Sequence, residues 1–298
     1  MNQKVIAMIW DFDKTLIDGY MQEPLFKKYN VDEHSFWDEV DNAKQEYKRQ
    51  GIRINEDTYY LNHFLKYVKE RRFDGLNNKI LLDLGRELEF CKGMPEFLNE
   101  IKEMIRNDKS YKKYDIKLEH YIISTGLTEM IRGSKVSEFV DGIWGCEFLE
   151  EDGVISQIAY SIDNTSKTKA IFEINKGINI FEQIDVNSKV PRENRRVPIE
   201  NMIYIADGPS DVPVFSVVKK NGGSTFAVYR KGNEKEFLQV DQLRKDGRVD
   251  MFGETDYRND TLTYMWLTKE VRRIANRMYK EYEEEFLKSV SSAPKHIT

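Results

Sequence analysis

The chain has 298 residues, a length that allows one large domain or a core with a smaller companion, and 40% of them are hydrophobic, enough for a sizeable interior. Charged residues make up 33% and the net charge is −5, so no basic excess points to nucleic acid as a partner. No apolar run reaches the roughly 18 residues of a membrane helix, and Asp11 and Asp13 interrupt the apolar start before it could serve as a secretory leader. The two cysteines, Cys91 and Cys146, lie far apart and read as reduced thiols, so the expected setting is the cytoplasm, with no membrane partner.

Taken in chain order, the first predicted element is the apolar run Val5 to Trp10, which lacks the alternation of a half-solvated strand. The stretch from 17 to 92 then reads as successive helices, with Leu61, Phe64, Leu65 and Val68 on one stripe and Ile80, Leu81, Leu84 and Leu88 on another. Pro95 to Ile105 predicts a helix with Phe97, Leu98, Ile101 and Ile105 inward. The Lys-rich segment Lys109 to Lys117, with Tyr111 and Tyr114 interleaved, is expected to be a solvated loop.

A second short strand is expected at Tyr121 to Ile123, and two extended runs around Glu151-Asp152-Gly153 signal a hairpin. Lys169 to Asn175 and Val212 to Lys219 are short helix candidates. They flank a third strand at Met202 to Ala206, and Ser224 to Tyr229 is a fourth. Leu267 to Leu287 carries a stripe of Leu267, Val271, Ile274, Met278, Tyr282 and Phe286 and is expected to pack on the core. Alternating strands and helices give an α/β fold, a doubly wound parallel sheet, with a mainly helical cap. The expected division is 1–16 with 93–298 as core and 17–92 as cap.

Polar residues follow these strands. Asp11 and Asp13 come after the first, Ser124 after the second, and Asp207 and Asp211 after the third. In open α/β sheets the ligand crevice lies at the carboxyl ends of the strands, so three strand ends deliver acidic and hydroxyl groups to one place. Helix capping or turn formation explains each residue singly and the set poorly.

Four motifs in order resemble those of the haloacid dehalogenase superfamily. They are Asp11-Phe12-Asp13-Lys14-Thr15, Ile122-Ile123-Ser124-Thr125-Gly126, a lysine in Ser166-Lys167-Thr168-Lys169-Ala170, and Asp207-Gly208-Pro209-Ser210-Asp211. The layout is most similar to phosphoserine phosphatases, with a helical insert between the first two motifs and a hairpin before the lysine.

That resemblance implies a magnesium-dependent phosphatase acting on a small phosphomonoester through an aspartyl-phosphate, or a phosphotransferase or non-enzymatic member of the same fold. It implies Asp11 as nucleophile and Asp13 as general acid and base. Ser124, Thr125, Gly126 and a lysine would bind the phosphoryl group. Mg2+ would sit on Asp11, Asp13 through its backbone carbonyl, and Asp207, with Asp211 and Thr15 in support. Between Lys167 and Lys169 the preference falls on Lys169, which opens the apolar-periodic run Lys169-Ala170-Ile171-Phe172. Asp211 is expected to orient that lysine or a metal-bound water rather than to ligate the metal directly. The chain departs from phosphoserine phosphatases at Ser210, where they carry Asn, and at Tyr20, where they carry a glutamate for the substrate amine. Candidate leaving-group contacts in the cap are Tyr20, Gln22, Glu23, Arg53 and Arg72.

Overall fold

The computed structural model describes residues 3–181 and 183–291. Strand β1 (Val5–Trp10) is buried along its whole length, as an unbroken apolar run requires of a strand covered on both faces. The chain then forms a helical insert, α1 (Glu23–Tyr29), α2 (Glu33–Arg49), α3 (Tyr60–Lys69) and α4 (Asn78–Gly85). It re-enters with α5 (Glu96–Arg106), α6 (Lys109–Lys113), β2 (Lys117–Leu127) and α7 (Thr128–Gly133). The hairpin β3 (Gly142–Glu151) and β4 (Val154–Tyr160) follows, then α8 (Lys167–Lys176), β5 (Met202–Ala206), α9 (Val212–Lys220) and β6 (Ser224–Tyr229). Last come α10 (Glu234–Lys245), β7 (Met251–Glu254) and the long α11 (Leu262–Ser291).

The strands form one seven-stranded sheet in the order β4-β3-β2-β1-β5-β6-β7, parallel except for β4. Strand order reverses at β1, which pairs with β2 on one side and β5 on the other, so the switch point of this doubly wound α/β sheet lies there. Trp10 is level with Ile122 of β2 and Ile205 of β5. Asp11 therefore emerges one step below Ser124 and Asp207.

The expected elements are present with adjusted ends. In α5, Phe97, Leu98, Ile101 and Ile105 are buried, as their spacing predicts. The hairpin turns at Asp152 and Gly153, both at positive φ (51° and 78°), the conformation that Asp-Gly favours. Strand β7 and helix α10 were not foreseen. Four residues, Met-Phe-Gly-Glu, are too few to show a pattern, and α10 buries only Val240 and Leu243.

The Lys-rich segment is not a solvated loop. Lys109–Lys113 is helical, Tyr111 is buried, and its hydroxyl donates to Asn276 Oδ1 of α11 at 2.9 Å. Tyr114 stacks on Tyr282 (ring centroids 5.4 Å apart) and donates to Glu283 Oε1 at 2.6 Å, while Lys113 pairs with the same carboxylate. The interleaved tyrosines thus dock α6 on α11. Along α11 the buried stripe runs through Leu267, Val271, Ile274 and Met278, with Tyr282 packed at its edge. Phe286 departs from the expected stripe and is 52% exposed.

The insert leaves and rejoins the core through two paired segments. Ile17 bridges Phe90, Cys91 N donates to Leu16 O at 2.9 Å, and Asp18 N donates to Glu89 O at 3.3 Å. It has its own aromatic interior, in which the Phe36 ring lies 4.9 Å from Phe26, 5.4 Å from Phe64 and 5.2 Å from Tyr67. Two glycines set its contact with the core. A Cβ on Gly85 of α4 would overlap Met130 O of α7, and one on Gly133 would overlap Leu82 O, so the two helices meet backbone to backbone. The β3–β4 hairpin joins the same assembly. Ile155 N donates to Leu76 O (2.9 Å) and Asn78 Nδ2 to Phe148 O (3.1 Å). No helix among the described residues is long and apolar enough to cross a membrane.

Candidate active site

At the switch point, Asp11 follows β1 and is 7% exposed. Its Oδ1 lies 2.8 Å from Lys167 Nζ, and the same ammonium lies 2.7 Å from Asp211 Oδ1. Lys167 is 2% exposed and Asp211 fully buried, so this is a desolvated carboxylate–ammonium–carboxylate bridge. Burial works against the Lys167 ammonium, but Asp11 and Asp211 outweigh it, and its pKa is raised. Tyr204 of β5 donates its hydroxyl to the same Asp211 Oδ1, and Ser210 Oγ donates to Oδ2 at 2.9 Å. With both oxygens engaged, Asp211 is placed to hold Lys167.

The lysine is a correction to the sequence reading. Lys169 is half-exposed, with Nζ 3.4 Å from Glu173 Oε1, away from Asp11. The reason is helix phase. Lys167 begins α8 and shares its buried face with Ala170, Ile171 and Ile174, at spacings of three, four and seven residues. Two residues on, Lys169 points the other way, alongside the exposed Phe172. The i, i+3, i+4, i+7 pattern counted back from Ile174 carries that signal.

Asp13 leaves the turn after β1 toward the cap. Its Oδ1 accepts from Met21 N at 3.0 Å, and the next residue, Lys14, adopts a left-handed φ of 54°. Burial raises the pKa of Asp13 well above the usual carboxylate range, with the charge of Asp11 adding to it. Burial raises Asp11 and Asp207 too; Lys167 opposes the rise at Asp11 and the Asp11 charge reinforces it at Asp207. The four acids thus outnumber the one buried cation.

Carboxylate oxygens of Asp11, Asp207 and Asp211 all lie within 4.8 Å of one another. A hard, all-oxygen donor set with surplus negative charge fits a divalent cation such as Mg2+. Asp211 already accepts from Lys167, Tyr204 and Ser210, so Asp11 and Asp207 keep more free oxygen sites for it.

Ser124 is buried at an irregularity of β2, where pairing with β3 lapses between Ile123 and Leu127, and its Oγ accepts from Gly126 N at 3.0 Å. Gly126 permits close approach of the cap, since a Cβ there would overlap the Met21 thioether. The Thr125 carbonyl accepts from Tyr60 Oη of α3 at 2.8 Å, a direct link from cap to floor. Thr15 is fully buried, and its carbonyl accepts from Tyr257 Oη at 2.7 Å.

A cleft of about 350 Å3 lies between cap and core, with Asp13 and Thr125 on its floor. Of the cap candidates, Tyr20 and Gln22 line it. Glu23 accepts from Tyr20 N (3.0 Å) and faces a neighbouring hollow. Arg53 is exposed, outside the cleft lining. Arg72 donates to Glu39 at 2.8 Å and lies 3.6 Å over the Tyr67 ring, so it braces the cap. The wall residues Trp37, Lys44, Asp57 and Tyr60 were not foreseen; Trp37 and Lys44 lie seven residues apart on α2, while Asp57 precedes α3 and Tyr60 begins it.

No family model matches the sequence. An uncharacterized protein of Borreliella burgdorferi is 38% identical over 295 residues, covering 91% of this chain and 99% of that one. The chain belongs to the family of that protein. Among solved structures, a HAD-family hydrolase of Salmonella enterica serovar Typhi superposes with a TM-score of 0.50 at 15% identity, over 80% of this chain. The fold is that of the haloacid dehalogenase superfamily. The match spans 66% of the Salmonella protein, just under two thirds of its length. A phospho-aspartyl intermediate analogue of phosphoserine phosphatase aligns over 84% of this chain and 93% of its own, with 15% identity and a TM-score of 0.48. On the haloacid dehalogenase fold described here, the Asp11–Lys167–Asp211 bridge occupies the crevice at the switch point of the sheet.

Proposed function

We propose that the protein is a magnesium-dependent phosphomonoester hydrolase that acts on a small phosphorylated metabolite through an aspartyl-phosphate on Asp11. The observation that carries this reading is the buried Lys167 ammonium held between Asp11 and Asp211, with Asp13 and Asp207 beside it at adjoining strand ends. Phosphate monoesters resist hydrolysis so strongly that enzymes must lower the barrier by up to ~20 kcal/mol or more. A carboxylate nucleophile divides that barrier into two smaller ones.

In this mechanism Asp11 attacks phosphorus while Asp13, kept protonated by burial and by its neighbours, gives its proton to the departing alkoxide oxygen. Asp13 then accepts a proton from the water that attacks the Asp11 phosphoryl group. Lys167 counters the charge on the phosphoryl oxygens and holds the Asp11 carboxylate in place, with Asp211 and Tyr204 fixing Lys167 in turn. Ser124 donates its hydroxyl to a phosphoryl oxygen, and the backbone at Thr125 and Gly126 completes that side. Asp11, Asp207 and the Asp13 carbonyl would hold Mg2+, which when bound supplies the positive charge that lets two anions approach. A cleft of about 350 Å3 under a closed cap suits a small ester.

The test is release of inorganic phosphate from an aryl phosphate with and without Mg2+, alongside Asp11→Asn. Turnover is expected to need Mg2+ and to vanish in Asp11→Asn, with no acid-stable phosphoenzyme trapped in that variant. Full activity in excess chelator would overturn the metal assignment. Near-normal turnover by Asp11→Asn would overturn the nucleophile.

A further inference from the structure

We propose that the cleft between cap and core selects a phosphomonoester whose leaving group bears a primary ammonium and no carboxylate, a short aminoalkyl phosphate. This rests on the phosphohydrolase reading above. The cleft opens directly from Asp13 and Thr125, so whatever leaves with the ester oxygen lies against the cap wall.

The charges of that wall do not balance. Three lysines stand at or near it: Lys44 and Lys48 are each matched by an acid of the cap, and Lys14 is engaged by the Tyr20 hydroxyl and ring. Lys44 lies 3.2 Å from Asp41, and Lys48 pairs with Glu56. Glu33 and Asp57, both in the lining, have no cationic partner among the described residues. Glu33 Oε1 accepts only a long bond from Trp37 Nε1 (3.4 Å), and Asp57 Oδ2 accepts Asn164 N at 3.2 Å. A carboxylate has room for about four such bonds, so both keep free acceptor capacity.

A second observation points the same way. Gln22 forms part of the lining at 4% exposure, and its Oε1 is buried with no hydrogen-bond partner. A buried acceptor without a donor is costly, and an N–H of the ligand would relieve it. Trp37 and Tyr60, with ring centroids 5.9 Å apart, add π-surface that attracts a cation.

The same wall disfavours alternatives. No arginine lies among its described lining residues, and Lys44, the lysine of the lining, already pairs with Asp41, so a carboxylate on the leaving group would have to compete with Asp41 for it while facing Glu33 and Asp57. A trimethylated ammonium has no N–H to offer Gln22.

The test compares kcat/KM of the magnesium-loaded protein for 2-aminoethyl phosphate, ethyl phosphate, L-phosphoserine and the trimethylated ammonium ester. 2-Aminoethyl phosphate is expected to exceed each of the others by about tenfold or more, the ratio that ~1.4 kcal/mol supplies. In Glu33→Gln/Asp57→Asn the ratio of 2-aminoethyl to ethyl phosphate should fall toward one. Equal rates, or a preference for L-phosphoserine or the trimethylated ester, would overturn the proposal while leaving the hydrolase reading intact. If no ester is turned over, the hydrolase reading fails. Calorimetric binding of 2-aminoethyl against ethyl phosphate then decides, and equal affinities would overturn the proposal as well.

Discussion

The floor of the crevice and the cap wall above it are built on opposite electrostatic terms. On the floor, Asp11, Lys167 and Asp211 are almost fully removed from water and bind one another within 2.8 Å. On the wall, Glu33, Lys44 and Asp57 are half-buried and their partners lie in their own neighbourhood or in the facing loop. A desolvated charge must have its partner fixed, because leaving one buried and unpaired costs several kcal/mol. A half-solvated charge can trade a partner for water at little cost. On the phosphohydrolase reading proposed above, the floor would serve the chemistry common to all phosphomonoesters and the wall would distinguish among them.

The sharpest way to break this comparison is to exchange the two lysines of α8. Lys167→Met should lower kcat by roughly 10²–10³, the loss typical of removing one preorganised group that stabilises transition-state charge. Lys169→Met, on the solvated face, should stay within about twofold of wild type. Steady-state turnover of an aryl phosphate by both variants measures this. A crippled Lys169→Met beside an active Lys167→Met would invert the assignment of floor and surface.

That pair also marks where the sequence was legible. The strands were visible as unbroken apolar runs, and Asp11, Asp13, Ser124 and Asp207 could be placed because each directly follows one. Lys167 opens a helix instead, so placing it required the phase of α8, and an apolar run starting at Lys169 gave the wrong phase. The wall was least legible. Tyr20 and Gln22 were named from the sequence, but Trp37, Asp57 and Tyr60 come from different elements and converge only once the aromatic interior around Phe36 has assembled. Tyr111 and Tyr114 misled for a related reason: among lysines they look solvated, and only the presence of α11 gives them something to dock on.

A smaller effect is expected where floor and wall are joined. Gly133→Ala places a methyl group against Leu82 O, where α4 and α7 meet. The helices must separate, at a cost of about 1–3 kcal/mol typical of overpacking. Because α4 belongs to the cap, the loss should appear both as a lower denaturation midpoint and as a raised KM, with kcat less affected. An unchanged midpoint would show that the two helices are free to slide, and that the cap is not anchored through α4.

Two histidines sharpen the comparison through pH. His120, on β2 within the core, is fully buried among neutral partners: Trp10 Nε1 lies 3.1 Å from Nδ1, and Nε2 is 3.0 Å from Leu98 O. Burial, with help from the Lys102 charge, pushes its pKa down to about 3. His63, in the cap, is lowered by burial too, but Glu39, 3.1 Å from its Nε2, pulls the other way. Below an ordinary histidine pKa of about 6.5, the unfolded chain binds a proton that native His120 refuses. The unfolded state then gains protons relative to the native one, so this contribution to stability is intact above pH 6.5 and is lost progressively as the pH falls toward 3. The slope approaches about 1.4 kcal/mol per pH unit for one proton. Urea unfolding at pH 7, 6 and 5 should therefore show a shallower loss of stability in His120→Gln than in wild type, by nearly one proton at the lowest pH. His63→Gln should shift the slope less, since a carboxylate already favours its charged form. If the two substitutions changed the slope equally, the core histidine would be no more desolvated in effect than the cap histidine, and the contrast between a dry floor and a wet wall would not extend to the elements that support them.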